Sequence, residues 1–221
     1  MRQVCRPDST YPKGQVNSLY FDTPDLEQYM RSASGDFKKD KIRLRWYGDG
    51  ESCCDEVPVF LERKSREGFA SSKQRRRMLV PAQSLEQNRL GAGIISRTVL
   101  ASTLAEFGLF PEQPLSTVIV ISYWRYRFNE MLTGMRVSLD LNIRSTLLQP
   151  GLGYAEGEIW LPGGVVEIKG PTLETPPTLR RIKLLETDWS RFSKYAHCLE
   201  AHMQDPGSIG RLWPSGRLAI T

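Results

Sequence analysis

Charged side chains fall at every second position of the segment KIRLRWY (41–47), where Lys41, Arg43 and Arg45 alternate with Ile42, Leu44 and Trp46. Successive side chains of a β-strand point to opposite faces, so the cations share one face and the large apolar residues the other. The same period of two recurs in ERKSR (62–66), KQRRR (73–77), RYR (125–127), RVSLD (136–140) and EIK (167–169). One strand of this kind describes a solvated sheet face. Repetition along one chain predicts a sheet whose polar face is gathered round a strongly anionic guest. Cations brought together without one would repel each other and lose hydration uncompensated.

The balance of the chain agrees with this reading. Its 221 residues suit one large domain, and all-β barrels commonly reach this length undivided. Hydrophobic residues make up 40% and aromatics 10%, enough for a sizeable core and too apolar for general disorder. A net charge of +5 and an isoelectric point near 9.1 favour an acidic partner: polyphosphate, nucleotide, nucleic acid or anionic lipid. No apolar run approaches the roughly 20 residues of a membrane span. Residues 1–10 lack the apolar core of a signal peptide, so the expected location is cytoplasmic. Cys5, Cys53, Cys54 and Cys198 form no C-x-x-C pair, and reduced thiols are expected rather than a zinc site.

The punctuation of the sequence predicts strands at 16–21, 41–47, 59–65, 72–80, 117–128, 135–144 and 165–169, with a short further strand at 156–161. Thr23 and Pro24 suggest the start of a short helix over 26–31. Apolar residues spaced by three to five across 83–110 predict one or two helices inserted between strands, and 180–186 and 191–203 read as terminal helices. Residues 1–15, with Pro7, Pro12 and Gly14, read as irregular, and 204–221 as a tail. The order is mainly β and lacks the βαβ alternation of a parallel nucleotide-binding sheet. No G-x-x-x-x-G-K-[ST] loop is present, so phosphate would have to be bound by side chains.

Arginine grips phosphate oxygens bidentately and lysine adds a point charge. The interspersed Glu62, Asp140 and Glu167 either pair with these cations or hold a divalent metal that bridges phosphates. Hard oxygen ligands favour Mg²⁺ or Mn²⁺. Each pattern alone also has a plain structural account. A solvated face explains Lys41, Arg43 and Arg45, a surface patch explains 75–77, and a cross-strand ion pair explains Glu167 with Lys169. Tyr123, Trp124, Tyr126 and Phe128 read as packing residues rather than a base-stacking ladder, which argues against nucleic acid. His197 and His202 belong to no motif.

The segments VNSLYFDTPDLEQY, KIRLRWYG, FLERKSREG, SKQRRR, ISYWRYRF, MRVSLDLNIR, VVEIKG and SRFSKYAHCLEA, in this order, resemble the VTC domain. That domain is the catalytic part of the vacuolar transporter chaperone polyphosphate polymerase and a member of the CYTH-like triphosphate tunnel metalloenzymes. The resemblance runs from about residue 16 to residue 199 and implies a tunnel domain over 16–203. It implies an α+β, mainly antiparallel fold: a triphosphate tunnel β-barrel with an internal helical insert and C-terminal helices. By the same resemblance Arg43, Arg45, Arg125 and Arg136 are catalytic. Lys64, Lys73, Arg75, Lys169 and Lys194 bind phosphate and Glu167 binds the metal in that resemblance, while Lys41, by its alternation with Arg43, joins the phosphate set and Glu62, by its place among the cations, the metal set. The implied activity is transfer of the terminal phosphoryl group of ATP to phosphate or a growing polyphosphate chain. Hydrolysis of inorganic or organic triphosphate and non-catalytic polyphosphate binding are the alternatives. Nucleic acid is not an expected partner, and a membrane-protein partner follows by analogy alone. Family members usually carry a strand and helix ahead of the SLYFDT block, so the resemblance also implies a shortened N-terminus.

Overall fold

The alternating segments form strands of one sheet in the computed structural model. It describes residues 3–48, 55–86, 89–149, 151–152, 157–171, 174–184, 188–189, 192–203 and 218–220. The loop 49–54 with Cys53 and Cys54, the turn residues 153–156 and the tail residues 204–217 lie outside the described residues. In chain order the strands are β1 (Cys5–Pro7), β2 (Lys13–Asp22), β3 (Lys38–Tyr47), β4 (Glu56–Glu67), β5 (Ala70–Pro81), β6 (Ser116–Glu130), β7 (Arg136–Leu147), β8 (Glu158–Trp160), β9 (Gly164–Lys169), β10 (Asp188–Trp189) and β11 (Leu218–Ile220). The helices are α1 (Glu27–Ala33), α2 (Arg97–Glu106) and α3 (Lys194–Met203), with 3-10 turns at Ala82–Leu85, Leu90–Ala92 and Pro177–Leu184.

The sheet runs β10-β11-β9-β7-β6-β2-β3-β4-β5, with β1 added on β6 and β8 on β7. It is antiparallel from β9 to β5 and parallel where β11 joins β9 and β10. The fold is therefore α+β and mainly antiparallel, as the sequence predicts.

Register spreads the alternation across the sheet. Tyr20, Arg43, Glu62 and Arg75 are successive partners on β2, β3, β4 and β5. Arg125 faces Asp140 between β6 and β7, and Ser138 faces Glu167 between β7 and β9. Directly opposed residues share a face, so these charges line one surface. The reverse surface is apolar. Leu19, Phe21, Ile42, Leu44, Val59 and Leu61 pack beneath the helical insert through Leu85, Leu90, Leu100 and Leu104. Each such side chain contributes about 1.5–3 kcal/mol on burial, which fixes the insert to the outside of the sheet.

The last helix lies on the charged surface. Tyr195, Cys198 and Leu199 of α3 pack on Ile119, Ile121 and Tyr123 of β6, filling part of that surface with apolar side chains. The sheet also curls. Lys64 on β4 lies in the field of Glu167 and Lys169 on β9, strands that are not neighbours in the sheet. Ser193, just before α3, accepts a hydrogen bond from Lys41 on β3, while Lys194 reaches Asp140 on β7. The charged face thus forms a concave channel, bridged by Ser193 and Lys194 at the start of α3.

Several expectations need correction. Residues 1–15 are not wholly irregular: β1 pairs with Phe128, Asn129 and Glu130 of β6, and β2 already begins at Lys13. Three residues ending in a proline are too short to display a period. Residues 218–220 form a strand parallel to β9 rather than a tail. Of the helix read at 180–186, the residues up to Leu184 belong to the 3-10 segment Pro177–Leu184 and 185–186 lie outside the described residues; α3 starts at Lys194. Thr23 does not occupy the N-cap position of α1, although its Oγ1 accepts the Glu27 N–H at 3.0 Å. Leu26 occupies that position with a left-handed backbone (φ 56°), and Asp22 shares the capping role with Thr23 from outside the helix. Its carboxylate accepts the backbone N–H groups of Gln28 and Tyr29 at 2.9 and 3.0 Å.

Candidate functional site

The channel charges gather round three carboxylates. Glu62, 1% exposed, stands at the centre of the β3–β4–β5 wall. Its Oε2 accepts from Arg43 Nε at 2.9 Å and lies 3.6 Å from Arg45 Nη1. Its Oε1 meets Lys73 Nζ at 2.6 Å and Arg75 Nε at 3.5 Å. Burial alone would raise the pKa of Glu62, but Arg43, Arg45 and Lys73 outweigh it and hold the group at about 2. Arg45 also donates to Ser18 Oγ, and Arg43 to the Tyr20 hydroxyl, which fixes both guanidinium groups.

On the opposite wall Asp140 is fully buried. Arg125 grips it bidentately at 2.6 and 2.7 Å, and Lys194 approaches its second oxygen at 2.7 Å. The neighbouring Glu167 keeps longer contacts, 3.5 Å to Arg125 and 3.2 Å to Lys169. Burial opposes ionisation of both acids, yet the surrounding cations lower both pKa values. A register shift in β7 near Asn142, which has a positive φ of 53°, lies beside this cluster. Such a bulge re-aims side chains locally. Tyr123 forms the floor, its ring 5.3 Å from the Arg125 guanidinium and 5.0 Å from Lys194 Nζ.

Between the walls lie lysines whose neighbours are mostly cations. Lys41 and Lys64 are register partners. Lys41 donates to Ser193 Oγ at 2.7 Å. Burial, then the charges of Lys64, Lys39 and Arg43, depress its pKa to about 8. Lys64 is lowered too, chiefly by burial, with Glu167 partly opposing the effect. Such a cluster leaves unmet demand for negative charge, which an anion in the channel would satisfy.

The structure brings together Lys41, Arg43, Arg45, Lys64, Lys73, Arg75, Arg125, Glu62, Glu167, Lys169 and Lys194 of the sequence-derived set. Arg136 stands apart from the centre. It is exposed, pairs in register with Lys169 at the end of β7, and borders a hollow of about 340 Å³ with Met135 and Pro171. Alternation also divides the basic run 73–77. Arg76 turns outward to Glu106, while Lys73 and Arg75 turn inward. Sequence reasoning missed Tyr20, Tyr123 and Ser193, because tyrosine and serine within strands and at helix starts have ordinary structural uses.

The acids differ in their fitness for a metal ion. Glu62 is ringed by four cations that would repel a dication, so its position is that of a counter-ion rather than the expected ligand. Among the described residues no group of three or more His, Cys, Asp or Glu side chains converges as a metal cage. Mg²⁺ and Mn²⁺ suit such a setting when they arrive on phosphate oxygens and take one or two protein carboxylates. Glu167, with 24% of its side chain exposed, fits that part.

The profile of the VTC domain matches residues 4–203. No curated protein sequence matches the chain. Among solved structures, a Bacillus halodurans protein designated a candidate adenylate cyclase is 15% identical, with a TM-score of 0.37 over 67% of this chain and 63% of the other. A Hippeastrum protein designated a candidate adenylyl cyclase, with a dominant triphosphatase activity, is 16% identical, with a TM-score of 0.31 over 59% of this chain and 60% of the other. The chain thus spans less than two thirds of either structure's length.

Proposed function

This chain belongs to the VTC domain family, and we propose that its channel binds a triphosphate or polyphosphate and carries out phosphoryl transfer from ATP. The observation that carries this reading is the excess of inward cations. Among the described residues, the nine cations Lys41, Arg43, Arg45, Lys64, Lys73, Arg75, Arg125, Lys169 and Lys194 share three acids, Glu62, Asp140 and Glu167. A multiply charged anion relieves that imbalance, and a chain of phosphates matches cations spread over five strands and the start of α3 better than a single charge does.

In this reading the terminal P–O bond of ATP breaks, an oxygen of the acceptor phosphate forms the new bond, and ADP leaves. The reaction needs positioning and charge stabilisation more than a covalent nucleophile. Arg43 and Arg45, fixed by Glu62, Tyr20 and Ser18, present pre-oriented donors to phosphate oxygens. Arg125 does the same from the opposite wall. Lys41 and Lys64 meet the most highly charged part of the chain, and Lys194 fastens α3 across the channel. A divalent cation bound with the nucleotide would neutralise phosphate oxygens, with Glu167 as its protein ligand.

The test is incubation with ATP and Mn²⁺ or Mg²⁺, followed by separation of the phosphate products. Polymer is the expected product, and it should vanish in Arg43→Ala with Arg45→Ala. Orthophosphate without polymer would replace transferase by hydrolase activity. Tight triphosphate binding without consumption of ATP would reduce the function to binding, and absence of binding would remove the channel reading altogether.

A further inference from the structure

The hairpin joining β4 to β5 presents an apolar surface that the phosphate chemistry does not use. Phe69, at its tip, is 95% exposed, and Phe37, just ahead of the adjoining strand β3, is 70% exposed. The turn that carries Phe69 is packed against Phe37. Gly68 N–H donates to the Phe37 carbonyl at 2.8 Å, and the Phe37 ring lies so close to Gly68 that a Cβ there would come within 2.6 Å of it. Gly68 also has a φ of +57°, so glycine is required both for the turn and for the approach of the ring. The tip is also tied by Arg66, whose Nε donates to the Gly68 carbonyl at 2.8 Å.

Cations surround these rings. Lys38 and Lys39 follow Phe37 along β3, and Arg66 faces Lys39 across the ladder. The nearby acids are Asp36, engaged by Ser34, and Glu67, opposite Lys38. A phenylalanine side chain that is nearly wholly exposed stands on a protrusion rather than in a groove. A protruding aromatic pair with a cationic collar fits a surface that is soft, apolar within and negatively charged outside.

We infer that the 67–70 tip, with Phe37 and Phe69, is an insertion point for an anionic lipid bilayer. The two rings enter the acyl boundary while Lys38, Lys39 and Arg66 meet lipid phosphates. This inference stands on surface residues and does not depend on what the channel does.

Co-sedimentation of the full chain with vesicles tests it. Binding is expected to phosphatidylcholine vesicles containing phosphatidylserine, and to weaken with salt and with removal of the anionic lipid. Phe69→Ser is expected to weaken it about tenfold, and Phe37→Ser with Phe69→Ser about a hundredfold, in line with the transfer free energy of an aromatic ring. Because Phe69 has almost no contacts to lose, its variant keeps the fold. In Phe69→Trp the new indole is expected to be quenched by brominated lipid more strongly than the native tryptophans. Inorganic triphosphate, which fills the channel, is expected to leave binding in place. Absence of vesicle binding, equal binding by the double serine variant, or binding abolished by triphosphate would each overturn the inference. The last two would assign the contact to the channel cations instead.

Discussion

Lys41 shows how one residue can report on its partner. Its pKa is pushed down to about 8, first by burial and then by Lys64, Lys39 and Arg43. A lysine whose folded pKa lies below its unfolded value of about 10.4 makes folding less favourable at low pH, and that penalty is relieved as pH rises from about 8 toward the unfolded value. Bound phosphate would reverse the effect by favouring the charged amine. Triphosphate binding near pH 8 is therefore expected to take up a proton and to weaken at higher pH. Calorimetry in buffers of differing ionisation enthalpy checks this, and Lys41→Met should abolish the uptake. Glu62 has the opposite sense. Its pKa is held at about 2, so its contribution to stability is present above the usual carboxylate range and lost as pH falls toward that value. Glu62→Gln leaves Arg43, Arg45, Lys73 and Arg75 without their common counter-ion, at a cost of about 3 kcal/mol typical of a broken buried pair. Urea unfolding should show that loss, and inorganic triphosphate should restore part of it. An equal loss with and without the anion would separate Glu62 from the anion site.

At the scale of elements, the channel depends on how α3 is seated. The Tyr195 hydroxyl donates to Asp22 at 2.7 Å, its ring stacks on Tyr20 with centroids 4.8 Å apart, and Tyr20 receives Arg43. One tyrosine thus links α3, the capped start of α1 and the arginine wall. Tyr195→Phe keeps the stacking but removes a donor from the buried Asp22, which should cost about 1–3 kcal/mol in urea unfolding. The same variant should weaken triphosphate binding only slightly, because Lys194 precedes the lost bond. The sequence reveals the strands well because a period of two is a direct imprint of a sheet with one wet and one dry face. Lys41, Arg43, Arg45 and their counterparts were readable for that reason, whereas the inward turn of Lys73 and Arg75 was implied by the family resemblance and not fixed by the run KQRRR itself. The capping of α1 by Asp22 was not, since Thr23 and Pro24 form the stronger local signal. Nor was the retirement of Glu62 to counter-ion readable. It depends on register between β3, β4 and β5, which places four cations around one carboxylate from three separate segments. The strand β11 escaped because three residues paired in parallel to a distant strand leave no local pattern.

For the whole molecule, the sheet acts as an electrostatic shell with two unlike surfaces. Outward cations are spent on local partners: Arg63 binds Asp40 at 2.7 Å and the Phe107 carbonyl at 2.6 Å, and Arg76 binds Glu106. Inward cations exceed their acids and raise the cost of the empty channel. A multivalent anion should therefore stabilise the entire fold, because the walls it bridges belong to one continuous sheet. Inorganic triphosphate at a hundred times its dissociation constant is expected to add about 2.7 kcal/mol by mass action. For a chain of this size that corresponds to a rise in Tm of about 5–10 °C. Thermal unfolding measures it, and equal ionic strength of sodium chloride should give far less. Two substitutions locate the effect. Arg45→Ala, on the inner face, should remove most of the rise, while Arg76→Ala, on the outer face beside the insert, should leave it unchanged. If both arginines mattered equally, the anion would be answering to net charge rather than to the channel, and the two-faced sheet would lose its functional meaning.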